Sequence, residues 1–425
     1  MGLSGSQSLL RLTCHKKDFN PLIYYYLGYY ELKRKNKNQS LKYFDKASKI
    51  KPDYCFPSRL ESISVLNKAI LENPDDSKAY YYLGNLWYDK KGYKKAIRLW
   101  EKSITLDSNF PTVHRNLAIA YFNIVKDGDK AKKELEYAFE LNQKDARILF
   151  ELDLLYKKLN YTSEKRLETL EKHEDIVKER DDLYLELIKI YNSLGNFEKA
   201  RQLLLTHRFH PWEAGEGNVG EQFIISQIGI ARGYIKENEY EKAINALKET
   251  EKFPENLGEG KILGIKYSNV LYYLGLCYQE LVDNAKANYY YKEASEGRIE
   301  LEEAKFYNDQ SPEMVFYQGL ALSKLGLIDS SNSRFNQLIN YGENQINKDP
   351  TIYFFALQIP ELDIYNEDLK LRNEIHSRFL IALGNLGLNN YSIAEKEFNM
   401  ILYLDSNHQL TMLYKNWISN LIKKG

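Results

Sequence analysis

Apolar and polar positions along the chain recur with a period of about 34 residues. One copy of the pattern consists of Tyr80, Leu83, Gly84, Trp87, Ala96, Trp100 and Ser103. A second copy has identical internal spacing and consists of Leu271, Leu274, Gly275, Tyr278, Ala287, Tyr291 and Ala294. Within each copy the apolar residues follow the period of a helix, in two runs that a polar turn separates. The pattern therefore predicts a repeated unit of two antiparallel helices.

The small residues of the pattern predict where the two helices of a unit approach each other. Gly84 and Gly275 are placed where the helices cross closely, and Ala96 and Ala287 occupy the matching place on the partner helix. Large aromatic residues fill the wider gaps, and a helical aromatic stripe is more often packing than a site. The aromatic residues predicted as core at one repeat position are Trp87, Tyr121, Tyr191, Tyr234 and Tyr278.

This frame resembles the tetratricopeptide repeat, which consists of a helix, a tight turn and an antiparallel helix. Further copies run from Tyr24 to Ala47 and from Tyr184 to His207. The resemblance implies an all-α fold, a right-handed α-solenoid of about ten helical hairpins. It also makes binding of a peptide or protein partner the leading class of function.

The period divides the chain into four parts. Residues 1–20 precede the array, residues 21–207 form a regular array, and residues 208–406 form an array with long loops at 208–220, 253–261 and 350–368. Residues 407–425 are predicted to form a helix that caps the exposed end of the stack. The unit between Pro52 and Pro74 is truncated to one helix, and the unit Pro111–Leu141 has one extra residue, assigned to its turn.

Composition narrows the possible partners. The chain has 59 basic and 59 acidic residues, and its net charge of zero argues against a general nucleic-acid binder. No run of about 18 apolar residues occurs, so no membrane-spanning segment is predicted. The three cysteines are isolated and are expected to be reduced, as in a cytoplasmic protein.

Two of the long loops match each other. Pro211–Gly217 and Pro254–Gly260 share a proline, a glycine four positions later, then glutamate and a second glycine. Long ordered loops in compact arrays are usually functional, so we predict a polar pocket here. Its candidate ligand-binding residues are His210, Trp212, Glu213, Glu216, Asn256, Glu259 and Lys261. Tyr81 and Tyr82 are added as predicted ligand contacts on the concave face, because tyrosine gives wide contact at low entropic cost.

Three alternatives apply to these loops. An indole such as Trp212 stacks on a sugar ring while carboxylates accept from hydroxyl groups, which favours a carbohydrate site. The glutamates alternatively cap the helices that follow, or pair with a lysine of a repeat turn. Glycoside hydrolysis by Glu213 or Glu216 is disfavoured, because a glycine-flanked loop is poorly preorganised for chemistry.

Metal and cofactor chemistry find little support. His207 and His210 are close in sequence but lack two further ligands for zinc. The chain has no phosphate-binding or dinucleotide-binding glycine motif, no nucleophile elbow and no paired-cysteine motif. We therefore expect no bound cofactor, no metal and no enzymatic activity.

From about Pro52 to Asn407 the chain also resembles the C-terminal repeat array of a family of large bacterial proteins of unknown function. The segments that carry this resemblance are Tyr80–Leu86, Arg208–Glu213 and Pro254–Lys261. In that family a β-sandwich domain resembling galactose mutarotase precedes the array, which implies an association with carbohydrate. No run of period-two strands occurs here, so the resemblance implies a fragment, or a gene product that keeps only the scaffold.

The sequence thus predicts a non-catalytic interaction scaffold. Its peptide or protein partner would bind the concave face of the solenoid and the paired loops. The alternative is an accessory module of carbohydrate binding or metabolism, with a sugar site around Trp212.

Overall fold

The computed structural model describes residues 20–52, 55–210, 215–261, 264–301, 310–350 and 364–422, with side chains as far as residue 416. All regular secondary structure in these ranges is helical, which confirms the predicted all-α repeat solenoid. Backbone contacts divide the chain into two compact units, Met1–Ile148 and Leu149–Gly425. The division of the array at residue 207, which rests on where the period breaks, stays a prediction.

The first unit contains seven helices among its described residues. They are α1 Pro21–Lys33, α2 Lys37–Lys49, α3 Glu61–Glu72, α4 Ser77–Asp89, α5 Tyr93–Leu106, α6 Pro111–Ala120 and α7 Gly128–Leu141. Helix α3 stands alone between two hairpins, as the truncated repeat predicts. A π-helical turn at Tyr121–Val125 extends α6.

The second unit contains the remaining helices. They are α8 Ala146–Lys158 (in this unit from Leu149 on), α9 Ser163–Lys172, α10 Glu174–Val177, α11 Asp181–Ser193, α12 Phe197–Thr206, α13 Asn218–Lys236, α14 Tyr240–Lys248, α15 Ser268–Glu280, α16 Asn284–Ser295, α17 Met314–Lys324, α18 Ile328–Gln345, α19 Leu369–Gly387, α20 Tyr391–Leu404 and α21 Gln409–Ile422. Two short 3-10 turns, Glu249–Glu251 and Glu255–Leu257, lie in the second long loop or just before it.

The described residues contain nine hairpins, and all nine turns use the same backbone device. Each turn has one residue in the left-handed region, which ends the first helix. These residues are Lys35, Lys91, Lys126, Asn160, Gly195, Asn238, Val282, Gly326 and Asn389. In eight turns the next backbone N–H donates to a carbonyl five residues earlier, as Gly92 does to Trp87 at 2.7 Å.

The exception explains the extra residue of the third hairpin. There the Asp127 N–H donates to the Tyr121 carbonyl, six residues earlier, at 3.0 Å. From the sequence, the additional residue was predicted to lie in the turn itself, at residues 126–129. The structure instead accommodates it in the wider π-helical turn Tyr121–Val125, so that the turn after it keeps its geometry.

Close crossing of the two helices at glycine is confirmed. A Cβ atom on Gly84 would lie 2.5 Å from the Trp100 ring, and one on Gly275 would lie 2.6 Å from the Tyr291 ring. Ala96 on the partner helix is fully buried. The ring of the second helix therefore lies directly on the backbone of the first, which accounts for the glycine–aromatic pairing in both of these repeat copies.

We expect the substitution Gly275→Ala to lower the free energy of unfolding by about 1–3 kcal/mol, because its methyl group overlaps the Tyr291 ring. Urea denaturation followed by circular dichroism measures this change. The matched control is Gly233→Ala, since Gly233 lies on α13 with no atom within 4 Å of its added Cβ. That control should gain about 0.5–1 kcal/mol from helix propensity. Equal effects of the two substitutions would contradict the packing argument.

Candidate functional site

The first long loop is held against the start of helix α11. The His207 ring lies 2.6 Å from one oxygen of Asp181, and the His210 N–H donates to the other oxygen at 2.7 Å. These hydrogen bonds outweigh the partial burial of Asp181 and lower the pKa of its carboxyl group. The His207 ring also stacks on Tyr184, with centroids 4.3 Å apart, and so faces its own hairpin.

Two predicted site residues of this loop, Trp212 and Glu213, lie outside the described residues. Glu216 is exposed, and so is the side chain of His210 apart from its contact with Asp181. A search of the described ranges finds no group of three or more histidine, cysteine or acidic side chains arranged to hold a metal ion.

The second long loop closes the end of helix α12. The side-chain amide of Asn256 donates to the backbone carbonyls of Leu204 and His207 at 2.8 and 2.7 Å, and the backbone carbonyl of Asn256 accepts from the Phe209 N–H at 2.8 Å. The last carbonyls of a helix lack partners within the helix, so this side chain completes α12. Both N–H groups of this side chain are thus occupied by carbonyls at the end of α12.

Glycine is required where the two loops touch. Gly258 has a φ of +73°, and a Cβ atom there would lie 2.5 Å from the Phe209 carbonyl oxygen. A side chain would therefore meet both backbone strain and a collision. The second glycine of the shared pattern, Gly260, has no atom within 4 Å of an added Cβ.

Glu259 caps the helix that follows the first loop. Its two carboxylate oxygens accept from the N–H groups of Gly217 and Gly220, at 2.7 and 2.5 Å, at the start of α13. A carboxylate at this end of a helix satisfies free donors and complements the helix dipole. The sequence analysis considered that each glutamate caps the helix after its own loop. Here Glu259 of the second loop instead caps α13, the helix that follows the first loop. Lys261 lies 5.2 Å from the centre of the Tyr267 ring, and partial burial lowers its pKa.

Tyr81 and Tyr82, predicted to contact a ligand, are buried with 2% and 0% of their surface exposed. The Tyr81 ring lies 4.8 Å from that of Phe110, and the Tyr82 ring lies 5.9 Å from that of Tyr25. Helix α4 packs against neighbours on two sides, so adjacent positions on it are both covered. In this structure the two rings offer no surface to a ligand.

The sequence analysis did not identify the surface that the C-terminal helix covers. The first helices of the last five hairpins (α11, α13, α15, α17 and α19) form what we call the first-helix face. The residues before and within α21 contact helices of this face one after another. The sequence interpreted α21 only as a cap, a role that stays a prediction.

A buried arginine attaches the segment before α21 to the start of the second unit. Arg166 on α9 pairs with Asp153 on α8 and Glu186 on α11, at 2.5 and 2.9 Å. Its remaining nitrogen donates to the Asn407 side chain at 3.0 Å. Asn407 in turn donates to the Tyr161 carbonyl at 2.8 Å.

The first turn of α21 is held by an exchange of amide hydrogen bonds. Gln409 and Gln222 on α13 donate to each other at 2.9 and 3.0 Å. Gln409 also donates to the backbone carbonyl of Lys189 on α11 at 3.0 Å. Two first helices therefore bind one side chain of α21.

Tyr414 is the aromatic anchor of α21. It is 6% exposed and contacts rings of α17, α19 and α20 at centroid distances of 5.7 to 6.4 Å. These rings are Phe316, Tyr317, Phe379 and Phe398. The sequence does contain a signal for this contact. Helix α21 has apolar residues at Leu410, Leu413 and Tyr414, which lie on more than one side of the helix, whereas a simple cap has a polar outer side.

An acidic group lies beside this anchor. Burial, together with the smaller effect of the nearby Glu221 carboxyl group, raises the pKa of Glu313 to about 7, although a backbone hydrogen bond lowers it in part. Burial also raises the pKa of the Tyr414 hydroxyl, and Glu313 adds to this shift. The first-helix face therefore contains a carboxyl group that changes charge near neutral pH.

Comparison with known proteins agrees with the repeat geometry. The chain is 33% identical over 100 residues to the TPR repeat-containing protein MJ0940 of Methanocaldococcus jannaschii. The match covers 21% of this chain and 31% of that relative's length. No protein-family model matches the chain.

The repeat units of this chain are similar to tetratricopeptide repeats. Among solved structures, YrrB, a TPR protein with an unusual peptide-binding site, is 18% identical, covers 44% of this chain and 90% of its own, and has a TM-score of 0.33. The Naa15/Naa10 complex bound to HypK-THB is 13% identical over 92% of this chain and 65% of its own, with a TM-score of 0.39. At these scores we draw no functional conclusion from either structure.

None of the described helices of this tetratricopeptide array is long and apolar enough to cross a membrane.

We expect Glu259→Gln to lower the melting temperature, because the neutral amide loses the charge that complements the start of α13. A cap and dipole contribution of this kind is about 0.5–2 kcal/mol. Differential scanning calorimetry measures the shift. Glu255→Gln, an exposed change in the same loop, is the matched control and should have no effect. An unchanged melting temperature for Glu259→Gln would remove Glu259 from the role of cap.

The raised pKa of Glu313 predicts a pH dependence. Its carboxyl group binds a proton more tightly in the folded state, with a pKa of about 7, than in the unfolded state at about 4.3. Stability from this group is therefore complete below about pH 4.3 and is lost as the pH rises through 7. We expect Glu313→Gln to flatten the melting temperature between pH 5 and 8. The control Glu343→Gln, exposed on α18, should keep the wild-type profile; a wild-type profile for Glu313→Gln would contradict the assignment.

Proposed function

We propose that the chain is a non-catalytic interaction scaffold whose second unit binds a helical segment of a peptide or protein on the first-helix face. The observation that carries the proposal is α21, which lies on this face through Gln409 and Tyr414. A helix seated in a groove by an aromatic anchor and a few polar contacts is a recurring mode of peptide recognition. The match to a TPR repeat-containing protein is consistent with this class of function.

The contacts on this face divide into two kinds. Tyr414 fills a site walled by aromatic rings, and buried aromatic anchors carry most of the energy of such interfaces. Gln409 instead pairs with Gln222 and the Lys189 carbonyl, which fixes the direction and register of the helix. A partner of this face would be an amphipathic helix with an aromatic residue about one and a half turns after a residue with a side-chain amide.

The paired loops support this face. Glu259 fixes the first turn of α13, and Gln222 lies just beyond that turn. Among the described residues of the loops, His210 and Glu216 have exposed side chains that would contact a ligand. In this proposal the loops act first as a structural support of the binding face, and their exposed rim adds to recognition.

The proposal can be tested by asking whether a synthetic peptide can replace α21 on the first-helix face. A fluorescein-labelled synthetic peptide of residues Gln409–Ile422 is titrated with the full chain and with its variant Tyr414→Ala, and binding is followed by anisotropy. We expect the variant to bind the peptide at least about tenfold more tightly, because its own α21 has lost its anchor and competes less. A peptide that itself carries Tyr414→Ala should not bind.

The control is Tyr403→Ala, because Tyr403 is 78% exposed and the change removes an equal side chain elsewhere. Circular dichroism verifies that each variant is folded, and Gln409→Ala serves as a milder variant should Tyr414→Ala unfold. A folded variant that fails to bind the peptide would overturn the assignment of the first-helix face as a binding surface.

A further inference from the structure

We propose a second binding groove in the second unit, between helix α18 and the extended segment Arg298–Leu301. Its ligand is an extended peptide that is recognised through its main-chain amide groups. The groove is separate from the first-helix face, since α18 is the second helix of its hairpin and α21 contacts the other helix, α17. The inference therefore does not rest on the function proposed above.

The groove has a volume of about 850 Å³ and two unlike walls. One wall is extended backbone, with Ile299 and Leu301. The other wall is a polar stripe on α18 that includes Asn336, Gln337, Asn340 and Asn344. A groove of this size has room for several residues of an extended chain and offers amide side chains along one side.

The spacing of the asparagines matches an extended peptide. Asn336, Asn340 and Asn344 follow one another every four residues, which is about 6 Å along a helix. Alternate residues of an extended strand are about 6.6 Å apart. Successive asparagines can therefore each reach one of the alternate residues of the peptide, donating from the NH2 group to its carbonyl and accepting its N–H at the amide oxygen.

The protein already binds its own backbone in this manner beside the groove. The Gln310 side chain accepts from the Arg298 N–H at 3.2 Å and donates to the Arg298 carbonyl at 2.7 Å. Gln318 donates to the same carbonyl at 2.8 Å. Gly297 permits this approach, because a Cβ atom there would lie 2.7 Å from the Gln310 oxygen. One amide side chain thus pairs with both backbone polar groups of a single residue, Arg298.

The same recognition continues along the segment. Gln337 on α18 donates to the Ile299 carbonyl at 3.0 Å, and the His376 ring donates to the Leu301 carbonyl at 3.1 Å. Side chains thus hydrogen-bond to the backbone at three of the four residues from Arg298 to Leu301. None of these contacts depends on the identity of the side chains in the bound segment.

The asparagines of the stripe are available for a second segment. Asn336, Asn340 and Asn344 are exposed, and they make no hydrogen bond to any other residue in the part of the chain that the structure describes. Glu300 is the one charged residue among those that line the groove. The lining therefore favours a neutral or basic peptide over an acidic one.

The test uses the full chain and a fluorescein-labelled peptide of eight alternating threonine and valine residues with a lysine at each end. This peptide is extended, neutral in its centre and basic at its ends. We expect saturable binding in anisotropy measurements, weakened about three- to tenfold by Asn340→Ala and further by the double variant Asn336→Ala/Asn340→Ala. A peptide of the same sequence with N-methyl groups on alternate residues should lose binding, since it lacks main-chain donors.

The matched control is Asn288→Ala, an exposed asparagine on α16 that does not line the groove. It should leave binding unchanged, and all the variants should keep the wild-type melting temperature. Binding that is insensitive to Asn336 and Asn340, or equal binding of the N-methylated peptide, would overturn the proposal. Binding of maltohexaose with no binding of the peptide would overturn it as well. Exchange of the Gln409–Ile422 peptide should be unaffected by Asn340→Ala, so that failure of one proposal is distinguishable from failure of the other.

Discussion

The arrangement of the second unit depends on the buried guanidinium of Arg166. This one cation joins carboxylates on α8 and α11 and the amide of Asn407, and only 2% of its surface is exposed. Lys157 and Lys189 lie 3.4 and 3.1 Å from Glu186, so cations outweigh burial and keep the pKa of this carboxyl group well below its usual range. Removing one partner of such a cluster would leave an uncompensated buried charge, which commonly costs about 3–5 kcal/mol. The charge cluster therefore fixes both the first hairpins of the unit and the point at which α21 begins.

The contacts of α21 with the first-helix face follow from the fixed position of Asn407. The chain enters the first-helix face at Asn407, and Gln409 and Tyr414 then meet α13 and α17 in turn. The paired loops also support these contacts, because Glu259 caps the end of α13 where Gln222 lies. The asparagine stripe of α18 lies apart from these contacts. In the two proposals above, one helical array has two kinds of binding surface, an aromatic one for a helix and an amide-rich one for an extended chain.

The sequence predicted what is local and periodic. Gly275 and Tyr291 are 16 positions apart in one hairpin, and the same spacing separates Gly84 from Trp100, so the contact can be recognised from the pattern. The pairing of the loops was also visible, but not that Glu259 would cap a helix 39 residues earlier in the chain. Tyr82 was misjudged because the repeat frame describes one packed side of a helix, while α4 is covered on two. The contact of Arg166 with Asn407 spans 241 residues and occurs once, so it could not be predicted from the repeat pattern of the sequence.

That long span has a consequence for how the chain acquires its structure. Solenoids usually fold through contacts between neighbouring repeats, so each hairpin can form soon after it leaves the ribosome. Here Ser406 bonds to Asn160 across 246 residues, and Tyr414 covers rings on helices made much earlier. The aromatic rings that contact Tyr414 therefore stay uncovered until Tyr414 itself has been synthesised. Completion of the second unit becomes a late event of high contact order in an architecture otherwise dominated by local contacts.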